Sequence, residues 1–381
     1  MCSGCGGIMN VNLRHAASVA DAGRDAPRIV SIRVRAVKAP FERPLKTASG
    51  VMEAAPLVLL DIETSANCTG HAYAFCYTPV VQPALTELTR SVGALLEGQF
   101  LHPASVMEAL RRRFILLGTR GLLDMVLATI DTALWDAHAK WLGKPLVEVL
   151  GGAARPLPAY ASFGMEDGET LVQLSTQAVT SGFKAVKIKL GHESFADDLA
   201  IVRAVKSAIG DVFLLIDYNQ SLGSAEALRR CRALDDEGLF WIEEPCRYDN
   251  MEGHAAVTAA ATTPLQLGEN LWGPVDVAQS MRAKASDLMM PDLMKVGGVT
   301  GWMQVAAMCH AARMPVSNHF FQEASAHVMA VTPTAQLVEY FDLAGPVLRR
   351  SLDVRDGYVQ ACAEPGTGVE WNEEAIQQYA V

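Results

Sequence analysis

The fold is decided by a repeated pattern that reads AVKIKL at residues 185–190, FLLIDYN at 213–219, FWIEEP at 240–245 and PLQLGEN at 264–270. Each stretch is a short apolar run that ends in polar residues, and a segment with helical spacing separates it from the next. The same rhythm extends outward to PAYASF at 158–163, DLMMPD at 287–292, MPVSNHF at 314–320 and AQLVEYF at 335–341. Eight successive strands of this kind predict a closed parallel barrel, with its chemistry at the carboxyl ends of the strands.

The main alternative to a barrel is an open, doubly wound parallel sheet. Such a sheet usually carries a G-x-G-x-x-G turn after its first strand, where the glycines allow close approach of a dinucleotide. The nearest match here is Gly297, Gly298 and Gly301, which follow the sixth predicted strand. The glycine pattern therefore favours the barrel.

The residues before the barrel predict a separate α+β domain. Two strands, IVSIRVRAV at 29–37 and PLVLLDIET at 56–64, are separated by a predicted loop at 41–54. Helical spacing then dominates as far as residue 150, most clearly at 122–143, where a glycine ends the pattern.

These patterns divide the chain into four parts. They are a mobile N-terminal tail at 1–28, the α+β domain at 29–152, the barrel at 153–348 and a C-terminal segment at 349–381. The last part contains VRDGYVQA at 354–361, which we interpret as a small hairpin that returns to the first domain. Cys2 and Cys5 form a C-x-x-C pair in the tail, but no second Cys or His pair lies near them, so we assign them no metal.

Composition excludes several classes of protein. The chain has 381 residues, of which 50% are hydrophobic and 19% charged, as is typical of a globular protein with a large core. Its formal net charge is -10 without a run of Lys or Arg, so we expect no nucleic-acid partner. No apolar run approaches the roughly 20 residues of a transmembrane helix, so we expect no membrane association. The 8 scattered cysteines indicate free thiols in a reducing compartment, which predicts a cytoplasmic protein.

Three carboxylates recur at equal intervals at successive strand ends. Asp217, Glu243 and Glu269 end the third, fourth and fifth predicted strands. Because neighbouring parallel strands lie about 4.8 Å apart, these side chains converge on one small volume, where their charges repel. A hard cation with oxygen ligands relieves that repulsion, and Mg²⁺ fits best because it leaves positions open for substrate. The alternative, that each acid pairs separately with a nearby base, is weakened by their common register.

Two lysines of the second predicted strand point to one face. Lys187 and Lys189 are two residues apart, so in a barrel both face the interior or the site at its mouth. The alternative, an outer surface position, is disfavoured because apolar residues occupy the intervening positions. Beside a metal and a second lysine, we expect one of the two to have a depressed pKa and to act as a base.

A histidine and a carboxylate follow neighbouring strands further along. Asp292 follows the sixth predicted strand and His319 ends the seventh, so the carboxylate can orient the imidazole. Glu339 ends the eighth strand, next to Ser162 on the first. His319 and Lys189 thus lie on opposite sides of the metal strands, a layout that suits removal of a proton from one face of a carbon and its return on the other.

At this point the sequence resembles the enolase superfamily and, within it, the mandelate racemase group. The resemblance runs from about residue 28 to the C terminus. The segments that carry it, in the order of the family, are AVKIKLG (185–191), IDYNQS (216–221), WIEEP (241–245), LGEN (267–270), PDLMKVGGVTGW (291–302), NHFFQE (318–323) and VTPTA (331–335). It implies a modified TIM barrel of the (β/α)7β type, in the α/β class, with an N-terminal α+β capping domain.

The resemblance also implies a role for each matching residue. Asp217, Glu243 and Glu269 would bind Mg²⁺. Lys189 would be the base for the S enantiomer of a 2-hydroxy acid, and His319, oriented by Asp292, the base for the R enantiomer. Lys187 and a protonated Glu339 would bind the substrate carboxylate.

Further residues would contact the substrate by the same resemblance. Asn219 would bind the α-hydroxyl, and Ser162 would touch the carboxylate. Phe75 and Tyr77 are retained in an apolar pocket. Other pocket positions depart from the mandelate racemases: Leu45, Ser49 and Met52 replace valines in the capping loop, and Phe320 and Phe341 replace leucines on the barrel side. The pocket remains mostly apolar, which favours an aryl or alkyl group over a polyol. Apart from Ser49 the changes also make it fuller, so we expect mandelate itself to fit poorly.

These features predict a Mg²⁺-dependent racemase of a small 2-hydroxy acid with an apolar side group. An acid-sugar dehydratase of the same group is the alternative, since it shares the first proton abstraction. A catalytically idle binding protein is the third reading, which the complete set of catalytic residue types disfavours. By resemblance we expect a symmetric homo-oligomer, with an octamer as one form.

Overall fold

A computed structural model describes residues 26–47 and 50–381. Most of the predicted mobile tail, including Cys2 and Cys5, lies outside these ranges, as does Ser49 in the capping loop. Within the described residues the six remaining cysteines are free thiols. No helix of this part of the chain is long and apolar enough to cross a membrane.

The first domain is built on a three-stranded antiparallel sheet in the order β1, β2, β3. Its strands are β1 (Ile29–Thr47), β2 (Gly50–Thr64) and β3 (Thr69–Phe75). The predicted loop at 41–54 is wrong, because pairing resumes beyond an irregularity between Pro40 and Leu45 and continues to the hairpin tip. The four helices that follow are α1 (Gln82–Gly93), α2 (Pro103–Arg113), α3 (Leu122–Trp141) and α4 (Leu146–Val149).

The second domain contains the predicted parallel barrel. Its sheet runs in the order β10, β4, β5, β6, β7, β8, β9, where the strands are β4 (Leu157–Ser162), β5 (Ala185–Lys189), β6 (Phe213–Asp217), β7 (Trp241–Glu243), β8 (Leu265–Leu267), β9 (Leu288–Met289) and β10 (Val338–Tyr340). The central strands are buried on both faces, as expected where helices cover a parallel sheet. The predicted α/β fold, a modified barrel with an α+β cap, is thus confirmed.

The barrel helices follow the strands and cover the outside of the sheet. They are α5 (Gly168–Thr180), α6 (Phe195–Ile209), α7 (Ser224–Ala233), α8 (Met251–Ala260), α9 (Gly273–Ala283), α10 (Leu293–Val296), α11 (Gly298–Ala312) and α12 (Gln322–Ala330). Short 3₁₀ turns occupy Ala94–Leu96, Asp235–Glu237 and Gly345–Val347.

The seventh predicted strand, at 314–320, is not a regular strand. Only isolated bridges form there: Val316 pairs with Met289 on one side and with Ala335 on the other, and His319 pairs with Asp292. Pro315 lacks a backbone N–H and cannot donate to a ladder. Beyond it, Phe320 and Phe321 adopt left-handed backbone angles, with φ of 50° and 49°, which end the extended conformation.

The C-terminal segment contacts both domains. Its short strand β11 (Tyr358–Val359) pairs antiparallel with the start of β4, so the hairpin predicted to return to the first domain is bound to the barrel instead. The chain then reaches the cap, where Trp371 Nε1 donates to Asp61 at 2.5 Å. The last helix, α13 (Glu373–Tyr379), lies beside β1, and Arg35 donates to Glu373 at 2.6 Å.

Candidate active site

Direct register between neighbouring strands brings three of the predicted side chains together. Lys189 ends β5 and pairs with Asp217, which ends β6 and pairs in turn with Glu243 at the end of β7. Glu269 follows β8 after Gly268, whose φ is +145° and whose missing Cβ would lie 2.8 Å from the Met290 backbone nitrogen. Only glycine fits this close approach, so Gly268 lets Glu269 reach the same level as the other acids.

Asp217, Glu243 and Glu269 form a buried group whose ligand oxygens lie within 4.8 Å of one another. One carboxylate oxygen of Glu269, Oε2, is buried and accepts no hydrogen bond from the described residues. Burial raises the pKa of Glu243 well above its ordinary value, and repulsion by Asp217 adds to that rise. A buried all-oxygen triad with an unsatisfied acceptor fits a hard divalent cation such as Mg²⁺.

The two predicted lysines take different positions. Lys189 Nζ lies 2.5 Å from Asp217 Oδ2, at the first acid of the triad. Lys187 is 1% exposed and bridges two carboxylates, at 3.0 Å from Glu243 Oε1 and 2.9 Å from Glu339 Oε1. The depressed lysine pKa was predicted for a site that holds a metal, and it stays a prediction. In the protein alone, burial lowers the pKa of Lys189, but attraction by Asp217 outweighs burial and raises it.

His319 lies at the other end of the triad. Its Nδ1 is 2.7 Å from Asp292 Oδ2, and its Nε2 is 3.1 Å from Glu269 Oε2. Burial alone raises the pKa of Glu269, but the charges of His319 and Lys189 outweigh burial and lower it to about 2. The structure therefore brings the predicted lysine and imidazole to opposite ends of the row of three acids.

Glu339 is buried and lies 2.9 Å from the Lys187 ammonium. Burial favours its protonation, but the neighbouring ammonium of Lys187 lowers the pKa of Glu339 below its ordinary value. Its Oε2 also accepts the backbone N–H of Phe320 at 3.0 Å. In the protein alone, the ion pair with Lys187 therefore favours the carboxylate form, and the protonated form predicted for the substrate complex stays a prediction.

Two further residues were predicted to bind the polar end of a substrate, and of these Asn219 contacts the triad directly. Asn219 donates from Nδ2 to Asp217 Oδ2 at 2.7 Å, which leaves its buried Oδ1 without a partner among the described residues. An amide oxygen held in this way can accept a hydrogen bond from a hydroxyl. Ser162 ends β4 in register with Lys187.

An aromatic cluster lies beside His319, between the cap and the barrel. The Phe320 ring contacts both Phe75 and Phe341, with centroids 5.7 Å and 5.3 Å apart. Tyr77 packs against Phe75 and donates to Asp292 at 3.3 Å. Phe41, which sequence reasoning assigned only to a loop, packs edge-on against Phe341 at 5.9 Å.

Leu45 and Met52 face each other across the end of the β1–β2 hairpin. Between them in sequence, the backbone carbonyl of Lys46 accepts the N–H of Met165 at 2.7 Å, and the Lys46 ammonium donates to the buried carboxylate of Glu166 at 2.5 Å. The hairpin is therefore bonded to the segment that follows β4, which carries Leu45 to the mouth of the barrel.

Three site residues were missed by sequence reasoning: Glu244, Asn270 and Lys295. Asn270 Nδ2 donates to Glu244 at 2.7 Å and to Glu269 at 3.0 Å, and Lys295 Nζ donates to Asn270 Oδ1 at 2.6 Å. Burial raises the pKa of Glu244 well above its ordinary value. Each residue stands inside a segment already singled out, one position after a predicted ligand or, for Lys295, one helical turn after Asp292.

Comparison with known families matches both domains. The family profile described as enolase C-terminal domain-like covers residues 170–375, and that of the mandelate racemase / muconate lactonizing enzyme N-terminal domain covers 29–151. The chain belongs to this family. It is therefore an enzyme of the enolase superfamily, as the sequence resemblance indicated.

Individual relatives differ in the acid that they bind. An enolase from Bradyrhizobium, crystallised with magnesium and mandelic acid, is 45% identical and superposes with a TM-score of 0.91 over 94% of this chain and 99% of its own. The L-talarate dehydratase of Polaromonas sp. JS666, crystallised with Mg and L-glucarate, is 27% identical with a TM-score of 0.87 over 93% and 98%. The L-talarate/galactarate dehydratase of Salmonella typhimurium is 32% identical over 68% of this chain and 66% of its own length.

The cofactor prediction agrees with these findings, because both crystallised relatives hold magnesium and this chain has the buried triad. The relatives do not single out mandelate racemase.

Proposed function

We propose that the protein is a Mg²⁺-dependent racemase of a 2-hydroxy carboxylic acid with an apolar, mandelate-like side group. The observation that carries this proposal is the position of two proton-transfer groups at opposite ends of one triad. Lys189 contacts Asp217 at one end, and His319 contacts Glu269 at the other. A substrate held at the triad would therefore present one face of its α-carbon to each group.

The reaction would move one proton across the α-carbon. With a cation at Asp217 to offset the charge that raises the Lys189 pKa, the neutral amine would take the α-proton of the S enantiomer, and the C–H electron pair would pass into an enediolate. Protonated His319 then delivers a proton to the opposite face, which yields the R enantiomer. The R enantiomer reacts in the reverse sense, with His319 as the base. Asp292 holds His319 Nδ1 so that Nε2 faces the substrate.

The chain also offers groups for the polar end of the substrate. Bound at Asp217, Glu243 and Glu269, Mg²⁺ supplies positive charge that makes the α-proton more acidic. Lys187 and Glu339 lie together beneath this position, where the ammonium stabilises charge that grows on the substrate carboxylate. Asn219 Oδ1 accepts the α-hydroxyl proton, and Ser162 contacts the carboxylate.

The aromatic cluster supports an apolar side group. Phe41, Phe75, Phe320 and Phe341 form a wall next to His319, and a polyol chain would leave its hydroxyls unpaired against these rings. The mandelic acid bound by the Bradyrhizobium relative has an aryl group of this kind. We therefore place phenyl-substituted and bulky alkyl 2-hydroxy acids first among candidate substrates.

A second candidate function is dehydration of an acid sugar. The relatives from Polaromonas and Salmonella are named as dehydratases, and the same lysine and imidazole could abstract the α-proton and then assist loss of a β-hydroxyl. The aromatic wall disfavours this alternative, because it offers few partners for a polyhydroxylated chain.

Incubation with Mg²⁺ and single-enantiomer acids in deuterated water separates the two functions. A panel of aryl, alkyl and sugar acids is followed by proton NMR and polarimetry. Racemisation replaces the α-proton by deuterium and removes the optical rotation, whereas dehydration gives a 2-keto-3-deoxy product. That product from a sugar acid, without exchange in any aryl or alkyl acid, would overturn the proposal.

The variant His319→Asn tests the two-base assignment. It should abolish exchange from the R enantiomer while Lys189 continues to exchange the α-proton of the S enantiomer. Equal loss from both enantiomers would contradict the assignment.

A further inference from the structure

His319 and Glu269 are connected in two ways, by a direct contact and by a chain of contacts through Asp292, Lys295 and Asn270. The imidazole touches Glu269 directly at 3.1 Å and Asp292 at 2.7 Å. Asp292 Oδ1 accepts the backbone N–H of Lys295 at 3.1 Å, and the Lys295 ammonium donates to Asn270 Oδ1 at 2.6 Å. Asn270 Nδ2 then donates to Glu269 Oε1 at 3.0 Å, which closes the ring.

Lys295 is held tightly in this ring although it bears a charge. It is 5% exposed, and its ammonium lies 4.4 Å from the centre of the Tyr77 ring. The aromatic face and the amide oxygen of Asn270 stabilise an ammonium that would otherwise be costly to bury.

The ammonium determines which way the Asn270 amide points. A lysine ammonium only donates hydrogen bonds, so the group facing it must be the amide oxygen. The amide nitrogen is thereby turned toward two carboxylates, and its two N–H groups bond Glu244 and Glu269. This bond occupies Glu269 Oε1 and leaves Oε2, which lies 3.1 Å from His319 Nε2, without a hydrogen bond from the described residues.

We infer that Lys295 is a positioning residue that acts through Asn270 to aim the Glu269 carboxylate at the metal. Because its backbone N–H also bonds Asp292, the same residue ties the position of that metal ligand to the orientation of His319. The inference concerns the metal site, so it holds whichever acid is the substrate.

The decisive measurement is metal affinity in the resting enzyme, by isothermal titration with MgCl2 and by the electron paramagnetic resonance of bound Mn²⁺. In Lys295→Met the Asn270 side-chain amide can rotate, because no ammonium holds its oxygen. We therefore expect the Kd for both ions to rise about 10- to 100-fold, as for other residues that orient metal ligands. Asn270→Ala should weaken binding to a similar extent. The double variant should be no weaker than either single one, because both changes break one chain of contacts. Lys295→Arg, which keeps a donor-only cation, should recover part of the affinity.

Lys140→Met is the matched control. Lys140 is a partly buried lysine, with its side chain 13% exposed, and bonds Asp136 at 2.9 Å and Glu370 at 2.7 Å, but its partners lie outside the triad. The Lys140→Met variant should lose thermal stability without a change in its Kd for Mg²⁺ or Mn²⁺. A folded Lys295→Met with the wild-type Kd would overturn the inference. If that variant fails to fold, an unchanged Kd in Asn270→Ala would overturn it equally, as would fully additive effects in the double variant.

Discussion

His319 Nδ1 lies 2.7 Å from Asp292 Oδ2, and this contact determines which ring nitrogen faces the metal triad. Asp292 is fully buried, and its other oxygen accepts the backbone N–H groups of Met294 and Lys295 at 2.7 Å and 3.1 Å. The carboxylate is therefore fixed by the start of α10, and it holds the imidazole with Nε2 toward Glu269. A short helix thus sets the geometry of a side chain on the neighbouring segment.

Asp292→Asn should remove this control with little change in fold. The amide oxygen can still accept the two backbone N–H groups, while the amide nitrogen would turn a donor toward Nδ1 and force the wrong tautomer. We expect turnover from the R enantiomer to fall by about 10³-fold or more, by the reasoning that applies to other Asp–His pairs. Steady-state polarimetry measures the loss. Retention of R-side turnover within a few-fold of wild type would refute the orienting role.

Lys189→Met should show the mirror-image defect. The thioether keeps the length of the side chain but cannot take a proton, so α-proton exchange from the S enantiomer should stop. Exchange from the R enantiomer, which depends on His319, should persist in deuterated water. Proton NMR of each enantiomer measures both rates in one experiment, and persistence of S-side exchange would exclude Lys189 as that base.

The sequence predicts the metal triad well because strand periodicity alone places it. Asp217, Glu243 and Glu269 recur at one interval, and parallel register turns equal spacing into spatial proximity. The contacts of Lys295 and Phe41 could not be predicted in this way. Lys295 acts through a side chain on a different loop, and Phe41 stands in a stretch rich in turn-forming residues that nevertheless pairs as a hairpin.

Charge states were predicted less well than positions, for a physical reason. The sequence places Lys189 and Glu339 near opposite charges but does not give the distances on which those interactions depend. Lys189 lies 2.5 Å from Asp217, where attraction raises its pKa by more than burial lowers it. Glu339 lies 2.9 Å from Lys187, where attraction lowers its pKa by more than burial raises it. In the protein alone, both pKa directions are therefore opposite to those predicted for the site with metal and substrate bound.

Mg²⁺ should stabilise the folded enzyme. Three buried carboxylates repel one another, and an ion that binds only the folded state adds about 2.7 kcal/mol at one hundred times its Kd. Thermal unfolding with EDTA and with saturating MgCl2 measures this gain. Glu269→Gln should reduce the gain, whereas Glu323→Gln, which changes a buried carboxyl outside the triad, should retain it. An equal gain in Glu269→Gln and wild type would show that this acid is not a ligand.

Phe341→Ala should lower selectivity for an aryl side group. The ring contacts Phe41 and Phe320, and its removal leaves a gap where an aromatic substituent would otherwise pack. We expect kcat/KM for phenyl-substituted acids to fall about 10- to 100-fold, and that for lactate to change much less. Phe100→Ala is the control, because Phe100 is partly exposed on the cap and should affect neither substrate. An equal fall for both substrates would assign Phe341 a structural role.

Stability should depend on pH through His327, which the proposed reaction does not use. This histidine of α12 is fully buried, and its Nδ1 accepts the backbone N–H of Val147 at 3.1 Å. Burial lowers its pKa from 6.5 to about 4. At low pH the unfolded chain therefore takes up a proton on this histidine more readily than the folded chain does. The contribution of His327 to the free energy of unfolding is complete above pH 6.5 and is lost as the pH falls toward 4.

Between pH 7.5 and pH 5 this loss amounts to about 2 kcal/mol of unfolding free energy. His327→Asn keeps an acceptor for the Val147 N–H but cannot be protonated. Urea unfolding at the two pH values should therefore show that the variant loses less unfolding free energy than wild type, by about this 2 kcal/mol. The difference between the two proteins cancels the other titrating groups, which they share. His310→Asn, at an exposed position near the end of α11, should keep the wild-type decrease. If His327→Asn loses as much stability as wild type, the buried imidazole is not the group responsible, because no other ionisable group differs between them.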